Sequence, residues 1–546
     1  MAFLKVEKKK SGTYLQVVET YRNESGSPRH RTLYNLGKAE HYRPETLRSM
    51  GKKLFELGGG DLKDLLGVET SEEGRYNYGY HQVYSKLFKH YSLDQVLSWV
   101  AKRHELSYDI VNAVLLLLVE RLQSPCSKLA TYRHQEEYLG LPNIELQWLY
   151  RTLDYLDKHS DRFKQVIYRT GRNLFNNTLD VVFYDVTTFY FDSEVVEEDA
   201  IRQKGFGKDG KIGKTQILFS MLIDKDKRPV SYEIYEGNTY EGHTFEDAVK
   251  ALKKTYNIRR VIVVADRGML SKHNIEIIEQ TKTYEFIVGE RLKNLPKADQ
   301  AALLNLADYQ QEWVYEKEAE KDPLKIRYRV LKKDNKTIIG TWSAKRARKD
   351  AHQREEKIAK AEKLLKNPSK IERKASRYFL KKQTDGKNTP YQIDWDKIEQ
   401  QKKYDGFLAI ATNVKELETI EILDQYRHLF QIEHTFRTFK SYLEARPMFH
   451  WRDSRIRGHL CLCYMAYTLL NHLQLELKAN EVPHTEQTIR KALNRMQVSL
   501  VAQGNNRFYL RSKMDEQQLN ILKALKIKKI PNVIPKAVMT KYIKPL

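Results

Sequence analysis

The spacing of apolar residues changes character several times along the chain. Residues 1–45 alternate apolar and polar side chains, and this period of two predicts short strands. From about residue 76 to 175 the apolar residues recur at helical spacing, most clearly in IVNAVLLLLVERLQ. Beyond residue 178, short continuous apolar runs predict buried strands that are separated by amphipathic helices. The chain is therefore expected to be a mixed α/β protein with several regions.

The order of the elements after residue 178 defines the expected fold. A strand at Val181–Tyr184 is followed by the hairpin strands TQILFSMLID and PVSYEIYEG, by a helix, and by a strand at Val261–Ala265. This is the order of a ribonuclease-H-like core. We predict a long insertion in that core, because 166 residues separate Asp266 from Glu433, and a loop of that length is unusual in a compact domain.

Six regions follow from these patterns. They are a small β-rich module with a linker (1–60), a helical domain (76–175), the first part of the core (178–294), an inserted basic subdomain (295–402), the second part of the core with the Glu433 helix (403–478), and a helical, Lys-rich C-terminal region (479–546).

Aspartates end two of the predicted buried strands. Asp185 follows the apolar run Val181–Tyr184, and Asp266 follows Val261–Ala265. An ionisable group at such a place must be paired, protonated or bound to a metal ion. Each aspartate alone is more often a turn residue or a helix cap, so a third acid is needed to define a site.

The stretch YRHLFQIEHTFRTFK, residues 426–440, supplies a third carboxylate. Seven residues are close to two helical turns, so a continuous helix places Tyr426, Glu433 and Lys440 on one face. The surrounding apolar residues predict that this helix is mostly buried, which makes Glu433 costly unless a cation meets it. The two strand-end aspartates and Glu433 together are a set of oxygen ligands suited to Mg²⁺ or Mn²⁺.

These motifs resemble the catalytic core of bacterial insertion-sequence transposases of the DDE type, in the cut-and-paste group with a Y-x2-R-x3-E-x6-K signature. Tyr426, Glu433 and Lys440 stand at the spacing of the signature, whereas Leu429 occupies its arginine position. Either Arg427 or Arg437 is then expected to supply the missing cation. Further fragments follow the family's order between about residue 110 and 475, namely YDVTTFYF, GNTYEGHTF, VVADRGM, WSAKRARKDAHQRE and RPMFHWRDSRIRGHL.

The resemblance implies an enzyme that binds inverted-repeat DNA ends through its helical domain, cleaves them and joins them to target DNA, through a hairpin intermediate. Phosphodiester hydrolysis calls for two divalent ions about 4 Å apart, Mg²⁺ or Mn²⁺. Asp185, Asp266 and Glu433 are the predicted catalytic residues and metal ligands. Because two ends are cut and joined together, we expect a homodimer in a synaptic complex. A nuclease of the same fold that does not join, and an inactive transposase-derived DNA-binding protein, are the alternatives.

The charge of the chain fits double-stranded DNA as the partner. Ninety-five Lys and Arg residues against 71 Asp and Glu give a formal net charge of +24, which also fits other nucleic-acid-binding proteins. The predicted DNA contacts in and after the core are Tyr426, Lys440, Arg437, Trp451, Arg455, Lys345, Arg346 and Arg348, with Trp451 able to stack on a displaced base. The plausible phosphate contacts of the helical domain are Arg121, Lys128, Arg133, Arg151 and Arg169.

Composition also bears on where the protein is located and on the state of its cysteines. No apolar run approaches the length of a membrane span, so no membrane association is expected. The start of the chain, MAFLKVEKKK, lacks the apolar core of a secretion signal, so we expect a cytoplasmic, nucleoid-associated protein of a prokaryote. Cys126, Cys461 and Cys463 match neither a zinc-ligand set nor a disulfide framework, and we predict reduced core thiols.

Overall fold

The computed structural model describes residues 2–24, 26–59, 70–171, 181–192, 200–205, 214–240, 243–254, 261–266, 272–280, 284–315, 323–333, 336–366, 379–382 and 391–546. The motifs GNTYEGHTF and VVADRGM lie partly outside the described residues, at 241–242 and 267–269 respectively. The chain divides into two compact units. The first unit comprises Met1–Arg75, Ser499–Leu510 and Asn532–Val538, and the second comprises Tyr76–Val498, Arg511–Pro531 and Met539–Leu546. The six region limits given above stay predictions.

The strands, numbered in chain order, are β1 (Ala2–Lys9), β2 (Gly12–Arg22), β3 (Pro28–Lys38), β4 (Thr70–Asn77), β5 (Val181–Tyr190), β6 (Gln203–Lys204), β7 (Thr215–Ile223), β8 (Pro229–Glu236), β9 (Val261–Ala265), β10 (Tyr284–Glu290), β11 (Gln311–Tyr315), β12 (Leu324–Lys332), β13 (Thr337–Trp342), β14 (Leu380–Lys382), β15 (Tyr391–Ile393), β16 (Phe407–Thr412), β17 (Gln497–Gln503), β18 (Asn506–Arg511) and β19 (Val533–Pro535).

The α-helices, in the same order, are α1 (Pro44–Leu57), α2 (Gly79–His90), α3 (Leu93–Arg103), α4 (Ile110–Gln123), α5 (Lys128–His134), α6 (Leu146–Lys158), α7 (Ser160–Thr170), α8 (Thr244–Lys254), α9 (Lys272–Glu279), α10 (Lys297–Leu304), α11 (Ala344–Leu365), α12 (Trp395–Lys402), α13 (Thr419–Arg427), α14 (Phe430–Arg437), α15 (Asp453–Ala479), α16 (Glu486–Asn494) and α17 (Glu516–Ala524).

A ten-stranded sheet belongs to the second unit, with the order β11-β12-β13-β16-β10-β9-β5-β7-β6 and with β8 paired to β7. Around β5 the order is β8-β7-β5-β9-β10, in which β7 is antiparallel to both β5 and β8, whereas β5, β9 and β10 run parallel. This is the topology of a ribonuclease-H-like fold, so the predicted fold is confirmed. Strands β11 to β13, which lie in the region predicted as an insertion, extend the same sheet through β16.

Alternation along β5 determines what lies on each face of this sheet. Tyr184 and Val186 belong to a buried apolar cluster that includes Phe245 of α8. Because successive side chains of a strand point to opposite faces, Phe183 and Asp185 point away from that cluster. Helix α14 packs against β5 and β7. The sheet therefore separates a layer with α8 from a layer with α14.

The region after β4 is helical, as predicted, and α4 is buried along most of its length. In the described part of the chain no single helix is long and apolar enough to cross a membrane, although α4 passes a length and composition test as a bent pair with Lys128–Glu137. Arg121 and Lys128 are buried in this region, so their prediction as phosphate contacts is wrong. Arg133, Arg151 and Arg169 are at least partly exposed.

The C-terminal region corrects a second prediction, because it contains strands as well as helices. Strands β17 and β18 join β4 and β19 in a four-stranded sheet with the order β19-β18-β17-β4. The stretches QVSLVAQ and NRFYLR, on either side of Gly504 and Asn505, carry alternating apolar residues that are typical of a hairpin. The first unit also contains the sheet β1-β2-β3, which confirms strands near the start of the chain.

Candidate active site

The pairing of β5 with β9 fixes the relation between the two aspartates. These strands run parallel, and their register pairs Tyr184 with Ala265. Asp185 and Asp266 directly follow this last pair, so the two aspartates lie side by side in sequence register where the pairing of β5 with β9 ends. Asp185 is partly buried, and its carboxylate accepts a 2.7 Å hydrogen bond from the backbone N–H of Val186, whereas Asp266 is exposed.

The helix predicted over residues 426–440 is interrupted, which corrects the sequence analysis. It consists of α13, α14 and a π-helical turn at Thr438–Tyr442. Between α13 and α14 the backbone tightens, because Leu429 donates to the carbonyl of Tyr426 and Ile432 donates to that of Leu429, both three residues back. Tyr426 and Glu433 therefore belong to different helices, so the prediction of one continuous helix is wrong.

Burial along α14 also differs from the prediction. Ile432 and Phe436 are buried, and the rings of Phe436 and Phe439 lie near the ring of Phe219 on β7. Glu433 is on the exposed side of the helix. Its carboxylate therefore avoids the cost of burial that we expected, since only the opposite side of the helix contacts the sheet.

Glu433 and Asp266 line one cavity of about 700 Å³. Of the residues predicted to contact DNA, Tyr426 of α13 and Lys345 and Arg346 of α11 line the same cavity. Two acids with 166 residues between them in the sequence thus line one cavity together with cationic side chains.

The cavity also has lining residues that sequence reasoning missed. They are Trp313 and Tyr315 of β11, Lys349 of α11, and Phe430 at the start of α14. The guanidinium of Arg427 lies 3.8 Å from the ring centre of Tyr315 and 5.6 Å from that of Trp313. In the sequence, the stretch WVYEKE at 313–318 predicts a strand with Trp313 and Tyr315 on one face. The pattern does not indicate that this face lies near the acids.

The missing arginine of the signature has a spatial counterpart. Leu429 lines the cavity, and so does Arg427, two residues earlier. Arg437 is exposed and is not among the described residues that line this cavity. Of the two candidate cations, Arg427 is therefore the one that reaches the space shared by Asp266 and Glu433.

The remaining predicted contacts lie outside the described lining of this cavity. Arg348 is exposed and Lys440 is partly buried. Trp451 is 53% exposed, and the guanidinium of the buried Arg202 lies 4.6 Å from its ring centre. Arg455 lies 3.7 Å from a carboxylate oxygen of Asp154. Trp451 thus offers an exposed ring, whereas Arg455 already has an acidic partner.

The donor chemistry of the three acids fits hard divalent cations. Within the described part of the chain, no residue forms a hydrogen bond or ion pair with the carboxylates of Asp266 or Glu433, so both can bind another cation. Ligand oxygens of all three acids do not lie within 4.8 Å of one another in the described structure.

Two family models match this chain. The model described as "Transposase DDE domain" matches residues 176–469, and the model described as "IS1634 family transposase, N-terminal domain" matches residues 4–61. The first match covers more than half of the chain, so the protein belongs to the DDE transposase family. With the N-terminal match, it is an insertion-sequence transposase, which confirms the resemblance stated above. Membership of the Y-R-E-K group stays a prediction.

Solved structures of transposases are also similar to the chain. A piggyBac transposase synaptic complex with hairpin DNA is 10% identical, with 76% of this chain and 77% of that chain covered and a TM-score of 0.39. A Mos1 transposase paired-end complex with left transposon end is 13% identical, with 33% of this chain and 58% of that chain covered and a TM-score of 0.15. No protein of curated function matches the sequence.

Proposed function

We propose that this transposase binds the inverted-repeat ends of its own element, cleaves them by two-metal hydrolysis and joins the freed 3′-hydroxyl ends to target DNA. The observation that carries the proposal is the cavity of about 700 Å³ in which Asp266 and Glu433 meet Lys345, Arg346 and Arg427. Acids without described partners and nearby cations are the combination that a scissile phosphate and its metal ions need.

The three acids are the metal ligands in this proposal. Asp185 lies on β5, which pairs with the strand before Asp266 and packs against the helix of Glu433, so it would hold a divalent ion together with these two acids. Asp266 and Glu433 would be the other two ligands. Two bound Mg²⁺ or Mn²⁺ ions would activate the attacking water and neutralise the charge on the leaving 3′-oxygen.

The chain's own cations and hydroxyls position the DNA. Lys345, Arg346 and Arg427 neutralise the phosphates beside the scissile bond, and the Tyr426 hydroxyl donates a hydrogen bond to a phosphate oxygen. Lys440 holds a phosphate further along the strand. No side chain serves as a covalent nucleophile.

Joining uses the same groups in a second displacement. The 3′-hydroxyl freed by hydrolysis takes the place of water, attacks a phosphorus atom of target DNA and displaces that strand's 3′-oxygen. Attack on the opposite strand of the same end gives the hairpin that the resemblance implies. Trp451 is the exposed aromatic ring assigned to stack on a displaced base near such an end.

DNA beyond the cavity follows basic surfaces. The exposed Arg348 continues the line of Lys345 and Arg346 along α11, and Arg437 and Arg455 are assigned to backbone phosphates on the C-terminal side of the core. Two ends must be processed together, so the proposed active species is a homodimer that holds both ends.

The test is cleavage of linear DNA that carries the ends of the element, measured with Asp185→Asn, Asp266→Asn and Glu433→Gln in Mg²⁺. We expect each change to abolish nicking and joining while end binding, measured by gel shift, persists. Glu399→Gln, at an exposed carboxylate that pairs with Lys402 on α12, is the matched control and should cleave normally. Normal cleavage by any of the three variants would contradict that residue's assignment, and nicking without joining by the natural protein would favour a nuclease.

A further inference from the structure

Three side chains of different ligand type meet between α4 and α5, outside the cavity described above. Glu120 of α4, Cys126 of the connecting segment and His134 of α5 each offer a ligand atom, and the three atoms lie within 4.8 Å of one another. The Cys126 Sγ is 2.8 Å from Glu120 Oε2, and His134 Nδ1 is 3.8 Å from the same oxygen. The sequence analysis predicted Cys126 to be a reduced core thiol outside any zinc-ligand set, and it missed Glu120 and His134 because they do not stand at a known ligand spacing.

We propose that Glu120, Cys126 and His134 bind one Zn²⁺ ion. Thiolate, imidazole and carboxylate are the three protein ligands that zinc takes, and a tetrahedral site with three of them keeps one position open. The His134 side chain is 47% exposed, whereas that of Glu120 is 4% exposed. The site is therefore open to solvent at His134, and a water molecule would complete the coordination.

The carboxylate of Glu120 is already oriented for this role. The hydroxyl of Tyr138, which is buried, donates to Glu120 Oε1. The other oxygen, Oε2, is the one near Cys126 and His134. A hydrogen bond from a neighbouring group to the free atom of a ligand is the usual way in which proteins fix the direction of a metal-binding side chain.

Neighbouring cations decide which ion suits the site. Arg121 and Lys128 are buried beside it, and Arg121 donates to the carbonyl of Cys126 at 3.3 Å and to that of Leu443 at 3.2 Å. Two nearby positive charges disfavour an ion held by charge alone, such as Mg²⁺. Zinc bonds strongly to a thiolate, so soft-ligand chemistry selects it over the hard ions assigned to the active site.

The ion would join two helices that the chain otherwise connects by a short segment. Glu120 is in the last turn of α4, and His134 is the last residue of α5. Arg121 also donates to the carbonyl of Leu443, which follows the π-helical turn after α14. Zinc at Glu120 therefore fixes the helix end that holds this segment, through the adjacent residue.

The experiment uses the full-length protein, freed of metal with a chelator and then dialysed to equilibrium against a low, constant concentration of Zn²⁺ in excess Mg²⁺. Elemental analysis should find one zinc per chain, and Co²⁺ substitution should give the absorption band of a cobalt–thiolate bond. Cys126→Ser should remove that band. Cys126→Ser and His134→Ala should each weaken zinc binding by more than the about 10- to 100-fold that loss of a residue supporting a ligand costs.

Two further variants keep the test decisive. Cys463→Ser changes a buried thiol that is not a proposed ligand, so the cobalt band should persist. His134→Cys replaces one zinc ligand by another at an exposed position and should retain zinc. The proposal would be overturned if Cys126→Ser bound zinc as tightly as the natural protein does. It would also be overturned if the folded natural protein showed no cobalt–thiolate band. Asp266→Asn should bind zinc normally, so the outcome is independent of the proposed transposition chemistry.

Discussion

The molecule holds carboxylates in two contrasting environments. Asp266 and Glu433 are exposed, line an open cavity and have no described hydrogen-bond or ion-pair partner. Glu120 is buried and contacts Tyr138 and Cys126. The first arrangement leaves oxygen atoms available to hard ions and to DNA, whereas the second satisfies a charge inside the protein. Removing an acid should therefore cost activity in one place and stability in the other.

The largest expected effect is on catalysis at the open site. Glu433→Gln keeps the size of the side chain but removes its charge, so it should lower the single-turnover cleavage rate about 10²- to 10³-fold or more, as loss of an electrostatic contribution at an active site does. Since Glu433 is exposed, the substitution should change the free energy of unfolding of the protein by less than about 0.5 kcal/mol. A large loss of stability in this variant, measured by urea unfolding, would erase the contrast between the two environments.

The next effect should be on stability around the buried acid. Arg121 lies beside Glu120 and donates to the carbonyls of Leu443 and Cys126. Arg121→Met removes a buried cation and leaves these groups without their donor, so we expect a loss of about 3 kcal/mol in unfolding free energy. Arg133→Met, at an exposed arginine of α5, is the control and should change stability by less than about 0.5 kcal/mol. Equal effects in the two variants would contradict the structural role of Arg121.

A buried histidine, His81, should make the stability of the protein depend on pH. Burial, followed by the charge of Lys89, lowers the pKa of His81 to about 4. In the unfolded chain the imidazole of His81 binds a proton near pH 6.5, whereas in the folded chain it stays neutral until about pH 4. The free energy of unfolding is therefore highest above pH 6.5 and decreases as the pH falls toward 4. One such histidine should make the protein about 2 kcal/mol less stable at pH 5 than at pH 8.

The measurement is urea unfolding at the two pH values for the natural chain and for His81→Gln. The variant should lose that part of the pH dependence, because glutamine does not titrate. His352→Gln changes an exposed histidine of α11 and should leave the difference as it is. An unchanged pH dependence in His81→Gln would show that the histidine is not the group responsible.

The sequence predicted the order of the core and the place of Asp266 after its strand, because a buried parallel strand is a continuous apolar run that ends abruptly. The prediction that Asp185 ends a strand is wrong, because β5 continues to Tyr190 in its antiparallel pairing with β7. The sequence could not predict the break between Tyr426 and Glu433, since all residues there are compatible with one helix. Nor could it separate Arg121, which is buried, from Arg133, which is exposed, because packing between distant helices decides which cation is covered. The pairing of β17 with β4 likewise depends on contacts between opposite ends of the sequence.

The smallest expected effect concerns DNA affinity at the open site and decides which arginine replaces the one absent at Leu429. Arg427 stacks on Tyr315 and lines the cavity, whereas Arg437 does not belong to its described lining. Arg427→Ala should weaken end binding about tenfold and reduce the slope of log affinity against log salt by about 1, as loss of one phosphate contact does. Arg427→Lys should restore the salt slope but only part of the affinity, because lysine keeps the charge and loses the planar stacking. Arg437→Ala should have the weaker effect, and a larger loss there than at Arg427 would transfer the role to Arg437.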